Sequence, residues 1–308
     1  MTRALGSAGG VPAVAALTAC LVLLGAAAGA ASDSPSLRFE SRGEPLGSRS
    51  LAWMEDVSTP KAVRVLEPYE AREVVFEAVS LDAILDAVYT PSWREQPELL
   101  FVFTCSDGYQ PTLPVSRVLE HRAWLAFARD RSRETSPEHE GFSIDKLESG
   151  ERKRVGLEPF YLIWENLDDE RVRAEGDYGW PYQLVGIDIA SAEERFPRMV
   201  PPAGTSTYAL EGFAAFRIHC SRCHAIDGEG GTIGPDLLFP VNITRVRTRD
   251  WLARWIADPS QVVPTSRMPR FQSNAPDPGR VIDQIVAYLA ALSDRAASPH
   301  TEANAHAP

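Results

Sequence analysis

The 308-residue sequence has few of the residues that bind metals or form disulfides: four cysteines, four methionines and six histidines. It also lacks an excess of positive charge, because 42 acidic residues outnumber 31 lysines and arginines and give a net charge of −11. Such a balance repels phosphates and argues against a nucleic-acid partner. No internal repeat is visible, and the length predicts about two domains.

The N-terminus carries one arginine, Arg3, and no arginine pair, so export by the twin-arginine route is not expected. Residues 11–30 form an apolar run that ends in the small-x-small triplet at 28–30. This pattern predicts a secretory signal peptide over residues 1–30 and a periplasmic location. Two alternatives stay open. The run is long enough for an uncleaved membrane anchor, and Leu-Thr-Ala before Cys20 is similar to a lipoprotein cleavage box.

Removal of the signal peptide leaves three cysteines: Cys105, Cys220 and Cys223. An oxidising compartment favours disulfides, but three is an odd number. We therefore expect two of the thiols to share one role and the third thiol to stay unpaired.

Composition divides the rest of the chain into five parts. Residues 51–200 alternate strand-like and helix-like segments, with a highly charged stretch at 130–156 that predicts a long solvated loop. Within this part, Ser80 is the predicted N-cap of a helix over residues 81–88. Helical patterns follow after residue 207, with Thr248 and Asp277 as predicted N-caps. The predicted parts are a flexible lead-in (31–50), an α+β domain (51–200), a linker (201–207), a helical domain (208–296) and a disordered tail (297–308).

Cys220-Ser-Arg-Cys223-His224 has the C-x-x-C-H spacing of c-type haem attachment. Each thiol can add across one porphyrin vinyl group, and the following imidazole can reach the iron. A redox dithiol of the thioredoxin type belongs in a βαβ context, whereas this pair follows a predicted helix. A zinc site needs four ligands, and no second Cys/His pair lies in range. The motif predicts one covalent haem c.

Met268 is the only methionine downstream of His224, and it lies in a proline-flanked loop between two predicted helices. Thioether ligation favours ferrous iron and raises the reduction potential. We therefore predict His224 and Met268 as the two axial iron ligands. With both axial positions filled by protein, the haem would transfer single electrons, and we predict no catalytic residue.

Residues 208–294 resemble a class I cytochrome c domain, in the helix before Cys220, the Gly-rich loop at 228–231, Gly-Pro-Asp-Leu at 234–237 and the terminal helix. The resemblance implies an all-α domain in which the Pro235 carbonyl accepts a hydrogen bond from the His224 imidazole. It also implies that the first and last helices cross, with Gly212 and Phe216 against residues 288–292. Trp251 and Trp255 would wall the haem or the core.

Residues 51–200 resemble the molybdopterin-binding fold of sulfite oxidase-like proteins. The resemblance lies in FEAVSLDAILDAV, FVFTCSDGYQPTLPV, AWLAFAR, PFYLIWEN and WPYQLVGIDI, in that order. That family holds molybdenum with a cysteine placed earlier in the domain, and Cys105 falls in a different segment. The acidic balance also disfavours an anionic cofactor. We therefore predict a cofactor-free relative of the fold, with Cys105 as a buried core thiol.

Together, these expectations predict two domains: a sulfite oxidase-like α+β domain followed by an all-α class I cytochrome c domain. The first hypothesis is a periplasmic monohaem electron-transfer protein whose first domain docks a redox protein or the subunits of a respiratory complex. The alternative is a fused molybdenum-dependent oxidoreductase, similar to a sulfite dehydrogenase, that passes electrons to its own haem. A third hypothesis is a haem-binding sensor or structural subunit without turnover.

Overall fold

The computed structural model of the chain describes residues 34–130, 132, 141–148, 151–271 and 277–294. The predicted signal peptide (1–30) and tail (297–308) lie outside the described residues. Among the residues that the structure describes, no helix is both long and apolar enough to cross a membrane.

Two mainly antiparallel sheets form the larger part of the structure. The five-stranded sheet has the order β2-β1-β11-β5-β6, and the four-stranded sheet has the order β10-β7-β4-β3. Among the strand pairs of these two sheets that the structure describes, only β1–β11 is parallel. The strands are β1 (Ser36–Ser41), β2 (Glu44–Ser50), β3 (Lys61–Glu67), β4 (Arg72–Ser80), β5 (Leu100–Cys105), β6 (Thr112–Pro114), β7 (Ala123–Arg129), β8 (Ser143–Glu148), β9 (Glu151–Gly156), β10 (Tyr161–Trp164) and β11 (Leu184–Ala190).

Five short helices connect or cover these strands: α1 (Leu51–Val57), α2 (Leu81–Tyr89), α3 (Val115–Glu120), α4 (Glu170–Ala174) and α5 (Ala192–Arg195). The predicted cap of α2 is confirmed, because the Ser80 hydroxyl accepts a hydrogen bond from Ala83 N. The side chains of Leu81, Ile84 and Leu85 are buried. Their i, i+3, i+4 spacing is the helical stripe that the sequence shows.

The flexible lead-in predicted for residues 31–50 is wrong for residues 36–50, which form the β1–β2 hairpin. Leu37 and Phe39 alternate with polar residues and are buried, and this period of two is the strand pattern. Arg42 and Gly43 turn the chain with positive φ angles. The Ser-, Gly- and Arg-rich composition suggested a flexible segment, whereas these residues form a short hairpin at the edge of the sheet. Its inner strand, β1, pairs with β11.

The solvated loop predicted for residues 130–156 is also partly wrong. Strands β8 and β9 pair over its second half, from Ser143↔Gly156 to Glu148↔Glu151. The pairing buries Ile144 and extends a charged ribbon from the larger part of the structure. Residues 133–140 of that stretch lie outside the described residues.

The core between the two sheets also buries charged groups. Glu70 and Arg129 form a buried ion pair, with Arg129 Nη1 2.8 Å from Glu70 Oε1. Glu67 is fully buried, and its carboxyl oxygens accept hydrogen bonds from Tyr161 OH at 2.7 Å and Glu70 N at 2.6 Å. Burial raises the pKa of Glu67 to about 7.

The C-terminal part contains helices α6 (Thr207–His219), α7 (Ile243–Val246), α8 (Arg249–Ala257), α9 (Pro259–Val262) and α10 (Pro278–Ala291). A two-stranded ladder, β12 (Ala225–Ile226) with β13 (Glu229–Gly230), follows α6. The predicted caps are confirmed, because Thr248 accepts from Trp251 N and Asp277 accepts from Arg280 N.

Helices α6 and α10 cross, as expected, with Gly212 at the contact. A Cβ atom added at Gly212 would overlap the Gln284 carbonyl. One turn further along α6, the Phe216 ring lies 5.2 Å from the Tyr288 ring. The expected partner of Phe216 is therefore present, whereas Gly212 contacts the backbone of Gln284 rather than residues 288–292.

The prediction of two separate domains, the second of them all-α, is wrong. All described residues from Ser34 onward belong to one compact unit of mixed helices and sheets. The hydrophobic cluster around α10 includes Val102 of β5 and also Phe196 and Met199. The Tyr288 hydroxyl donates to the Met199 carbonyl at 2.6 Å. Residues 201–207 therefore connect two parts that share buried surface, which the Pro- and Gly-rich composition of this segment did not reveal.

Two helical glycines give a matched pair for the α6–α10 crossing. Gly212→Ala places a methyl group against the α10 backbone and should destabilise the fold by about 1–3 kcal/mol. Gly279→Ala, in α10 with only the Asp277 carboxylate near its added Cβ, should be neutral or slightly stabilising because alanine favours helix. Urea unfolding of both variants measures the difference, and equal midpoints would contradict the close crossing.

The buried Glu67 carboxyl predicts a pH-dependent stability. A folded pKa of about 7, above the ordinary value of 4.5, means that the folded chain holds a proton that the unfolded chain releases. The stabilisation is complete below pH 4.5 and is lost as pH rises through 7, an effect on the order of 3 kcal/mol. Glu67→Gln, which mimics the protonated acid, should flatten this part of the stability profile measured by urea unfolding. An unchanged profile in the variant would contradict the assignment.

Candidate functional site

The C-x-x-C-H segment forms a tight turn at the end of α6. The N–H groups of Cys223 and His224 both donate to the Cys220 carbonyl, at 3.0 and 2.9 Å. The two thiols are partly buried and are not joined in a disulfide. Burial raises the pKa of Cys220 to about 12 and also raises that of Cys223. A redox dithiol needs a lowered thiol pKa, so these neutral thiols disfavour that alternative.

The His224 imidazole is held by the loop that follows it. Its Nδ1 lies 2.8 Å from the Pro235 carbonyl oxygen, the contact that the cytochrome resemblance implies. Because a carbonyl can only accept, Nδ1 carries the proton and Nε2 keeps its lone pair. Burial lowers the pKa of His224, which favours the neutral ring that binds metal.

Gly234 lies directly against this ring. A Cβ atom added at Gly234 would overlap His224 Cε1. The Gly234 N–H also donates to the Cys223 carbonyl at 2.8 Å. Glycine is therefore needed here for close approach rather than for an unusual backbone angle.

Asp236 ties this loop together, a role that sequence reasoning missed. Its Oδ1 accepts hydrogen bonds from the N–H groups of Leu238 and Phe239, at 2.7 and 2.8 Å. Its Oδ2 accepts from Gly228 N at 2.7 Å. One carboxylate thus joins both ends of the loop that carries the Pro235 carbonyl. An aspartate directly after Gly-Pro, where it can bond the backbone two residues on, was the available signal.

The turn that carries Asp107, Gly108 and Tyr109 packs on the C-x-x-C-H segment, another feature that the sequence did not reveal. Gln110 N donates to the Arg222 carbonyl and Thr232 N donates to the Gly108 carbonyl, both at 2.9 Å. The Arg222 Nη1 lies 3.4 Å from the Tyr109 hydroxyl. Gly108 has a positive φ, and a Cβ atom there would overlap the Thr232 side chain. The sheet part therefore holds the loop that carries the two thiols.

Met268 lies in the loop after α9 and is partly buried. Its Sδ accepts a hydrogen bond from Trp255 Nε1 at 3.2 Å. The Trp255 ring stacks on Trp251, with centroids 5.1 Å apart and planes at 10°. A thioether sulfur has two lone pairs, so one remains available to a metal.

A surface of partly buried apolar side chains contains Cys220 and Met268. Its members pack on the cluster around α10 but keep part of their area exposed: Cys220, Leu237, Leu238, Trp251, Trp255, Met268 and Phe271. Such a surface next to two free thiols, an imidazole with a free nitrogen and a thioether fits a flat apolar cofactor. The predicted residues Cys220, Cys223, His224, Pro235 and Met268 are thus compatible with haem c.

Within the described residues, no group of three or more His, Cys, Asp or Glu side chains is arranged to hold a metal ion. The zinc alternative for Cys220 and Cys223 therefore gains no further ligands of these types there. Cys105 lies on β5, is 3% exposed in the main core and has its pKa raised by burial. The prediction of a buried core thiol is confirmed. Ionisation, which metal ligation by a thiol requires, is disfavoured at this position.

No protein-family model matches this chain, and a search of curated proteins gives no match either.

Gly234→Ala tests the support of the imidazole. The added methyl group should push His224 away from the Pro235 carbonyl and reduce the yield of any metal or cofactor that the ring binds. The ring ¹⁵N signals of His224 in the cofactor-free chain report the loss of the Nδ1–H contact. Gly186→Ala, where the nearest atom to the added Cβ is 3.5 Å away, is the matched control. Identical His224 signals in both variants would contradict the close packing.

Proposed function

We propose that the chain is a c-type haem protein that transfers single electrons. The observation that carries the proposal is the arrangement at the end of α6, where Cys220, Cys223 and His224 form one turn and the Pro235 carbonyl fixes the tautomer of the imidazole. The two thiols are not joined in a disulfide, as addition to vinyl groups requires: each S–H adds across one double bond and forms a thioether. His224 Nε2 and Met268 Sδ would be the axial ligands.

Haem, when bound, supplies a one-electron ferric/ferrous couple. The protein's own groups set the conditions of that couple. His224 is held in one tautomer and orientation, and Met268 is held by the Trp255 N–H. With His224 and Met268 both bound to the iron, the site would provide electron transfer and would leave no position on the iron for a substrate.

We further propose that the sheet part, residues 34–200, serves as an assembly or docking module for a redox partner or a respiratory complex. Its contact with the loop that carries Cys220 and Cys223, through the backbone of Gly108 and Gln110, supports a role close to the redox site. The N-terminal apolar run supports a periplasmic location. Covalent attachment of haem there is compatible with a chain that arrives unfolded. A molybdenum oxidoreductase would need Cys105 as a ligand, and the buried, protonated thiol does not support it.

Two methionine variants test the axial assignment in protein that is expressed with a haem-attachment system. Met268→Leu should abolish the methionine-to-ferric-iron charge-transfer band in the absorption spectrum. It should also lower the reduction potential by a substantial part of the roughly 0.8 V range that axial ligands control. Met199→Leu, at a fully buried core methionine, should change neither. Retention of the band in Met268→Leu would contradict the proposal.

A further inference from the structure

A column of side chains joins the Met268 sulfur to the protein surface. The Trp255 N–H contacts the sulfur at 3.2 Å, and the Trp255 ring stacks on Trp251. The Arg247 guanidinium lies over the outer tryptophan, 4.9 Å from the centroid of the Trp251 ring. The two tryptophans are four residues apart on α8, so they lie on one face of the helix. Each member of the column touches the next.

The outer end of the column is rich in arginine. Arg245, Arg247 and Arg249 are all exposed and flank a shallow cleft between α8 and α10. Residues 241–290 contain seven arginines and four aspartates, with no lysine or glutamate, in a chain whose net charge is −11. The only acidic partner that the structure shows for these three arginines is Asp283, 3.5 Å from Arg249. This surface is therefore locally positive on an acidic protein.

Building on the proposed function, we propose that an acidic redox protein docks on the surface of Arg245, Arg247 and Arg249, and that the electron crosses between this surface and the iron through the Trp251–Trp255 stack and Met268. One electron leaves the one-electron centre of one protein and reduces that of the other. The indole rings stay neutral, and no bond or proton is exchanged. Electron tunnelling decays less steeply through packed atoms than through gaps, so the continuous column favours this route.

The charge of the surface decides the kind of partner. Oppositely charged surfaces steer encounter and accelerate association, and the acceleration falls as salt screens the charges. An acidic partner would be attracted to the arginines but repelled by the rest of the chain. The proposal therefore assigns docking to one local surface and not to the net charge.

Stopped-flow oxidation of the reduced, haem-loaded chain by hexacyanoferrate(III), an anionic one-electron oxidant, tests the proposal. Ferrous haem becomes ferric, and hexacyanoferrate(III) becomes hexacyanoferrate(II). We expect the second-order rate constant to fall as ionic strength rises. Replacement of Arg245, Arg247 and Arg249 by Gln should lower the rate constant at low salt roughly tenfold. Trp251→Leu should lower it at every salt concentration.

Matched controls separate the local surface from net charge and from loss of a tryptophan. The triple variant Arg64→Gln, Arg122→Gln, Arg171→Gln removes the same charge from exposed positions on the sheet part and should keep the salt dependence. Trp53→Leu removes a tryptophan that also lies under an arginine, Arg49 at 5.4 Å, and should leave the rate constant unchanged. The absorption spectrum of each variant verifies that the haem and its ligands are intact.

A rate constant that rises with salt, as the net charge of −11 alone requires, would overturn this inference while the proposed function stands. So would equal effects of the two arginine triples, or an unaffected rate in Trp251→Leu. A mature chain that carries no haem would overturn the proposed function and this inference together.

Discussion

Two backbone hydrogen bonds connect the sheet part of the structure to the helical part. Gln110 N donates to the Arg222 carbonyl, and Thr232 N donates to the Gly108 carbonyl. They join a turn of the sheet part to the loop that carries Cys220 and Cys223. Each bond has its donor in one part and its acceptor in the other, so the two parts cannot separate without loss of both bonds. The position of the thiol-bearing loop depends on this contact, and the buried surface shared by Val102, Met199 and Tyr288 also holds the two parts together.

The candidate site is built on the same loop, and short-range geometry sets its chemistry. Asp236 fixes the loop, the loop presents the Pro235 carbonyl, and the carbonyl selects the tautomer of His224. Gly234 leaves the space in which the ring lies. Trp255 Nε1 donates a hydrogen bond to the Met268 sulfur. Each functional atom is thus positioned by a neighbour that does no chemistry, which is how proteins preorganise a metal site.

Local patterns predicted the longer helices and some of the strands. The caps at Ser80, Thr248 and Asp277 and the helical stripes depend on neighbours within one turn, which a sequence displays directly. The separation into two domains failed because the shared surface of Val102, Met199 and Tyr288 joins residues far apart in the chain. The lead-in at 31–50 failed because its composition outweighed the alternation of Leu37 and Phe39. Cys220, Cys223 and His224 came from the C-x-x-C-H spacing, Met268 from its place as the only later methionine and Pro235 from the cytochrome resemblance. Gly108 acts through contacts between distant residues that no spacing records.

The most direct test of covalent haem attachment is the mass and metal content of the mature chain after denaturation and acid extraction, which removes haem that is not covalently bound. The account predicts that one haem mass and its iron remain with the wild-type chain, that no molybdenum is present, and that the double variant Cys220→Ser, Cys223→Ser loses the added mass. A wild-type chain of unmodified mass, or one that contains molybdenum in place of covalent haem, would contradict the account.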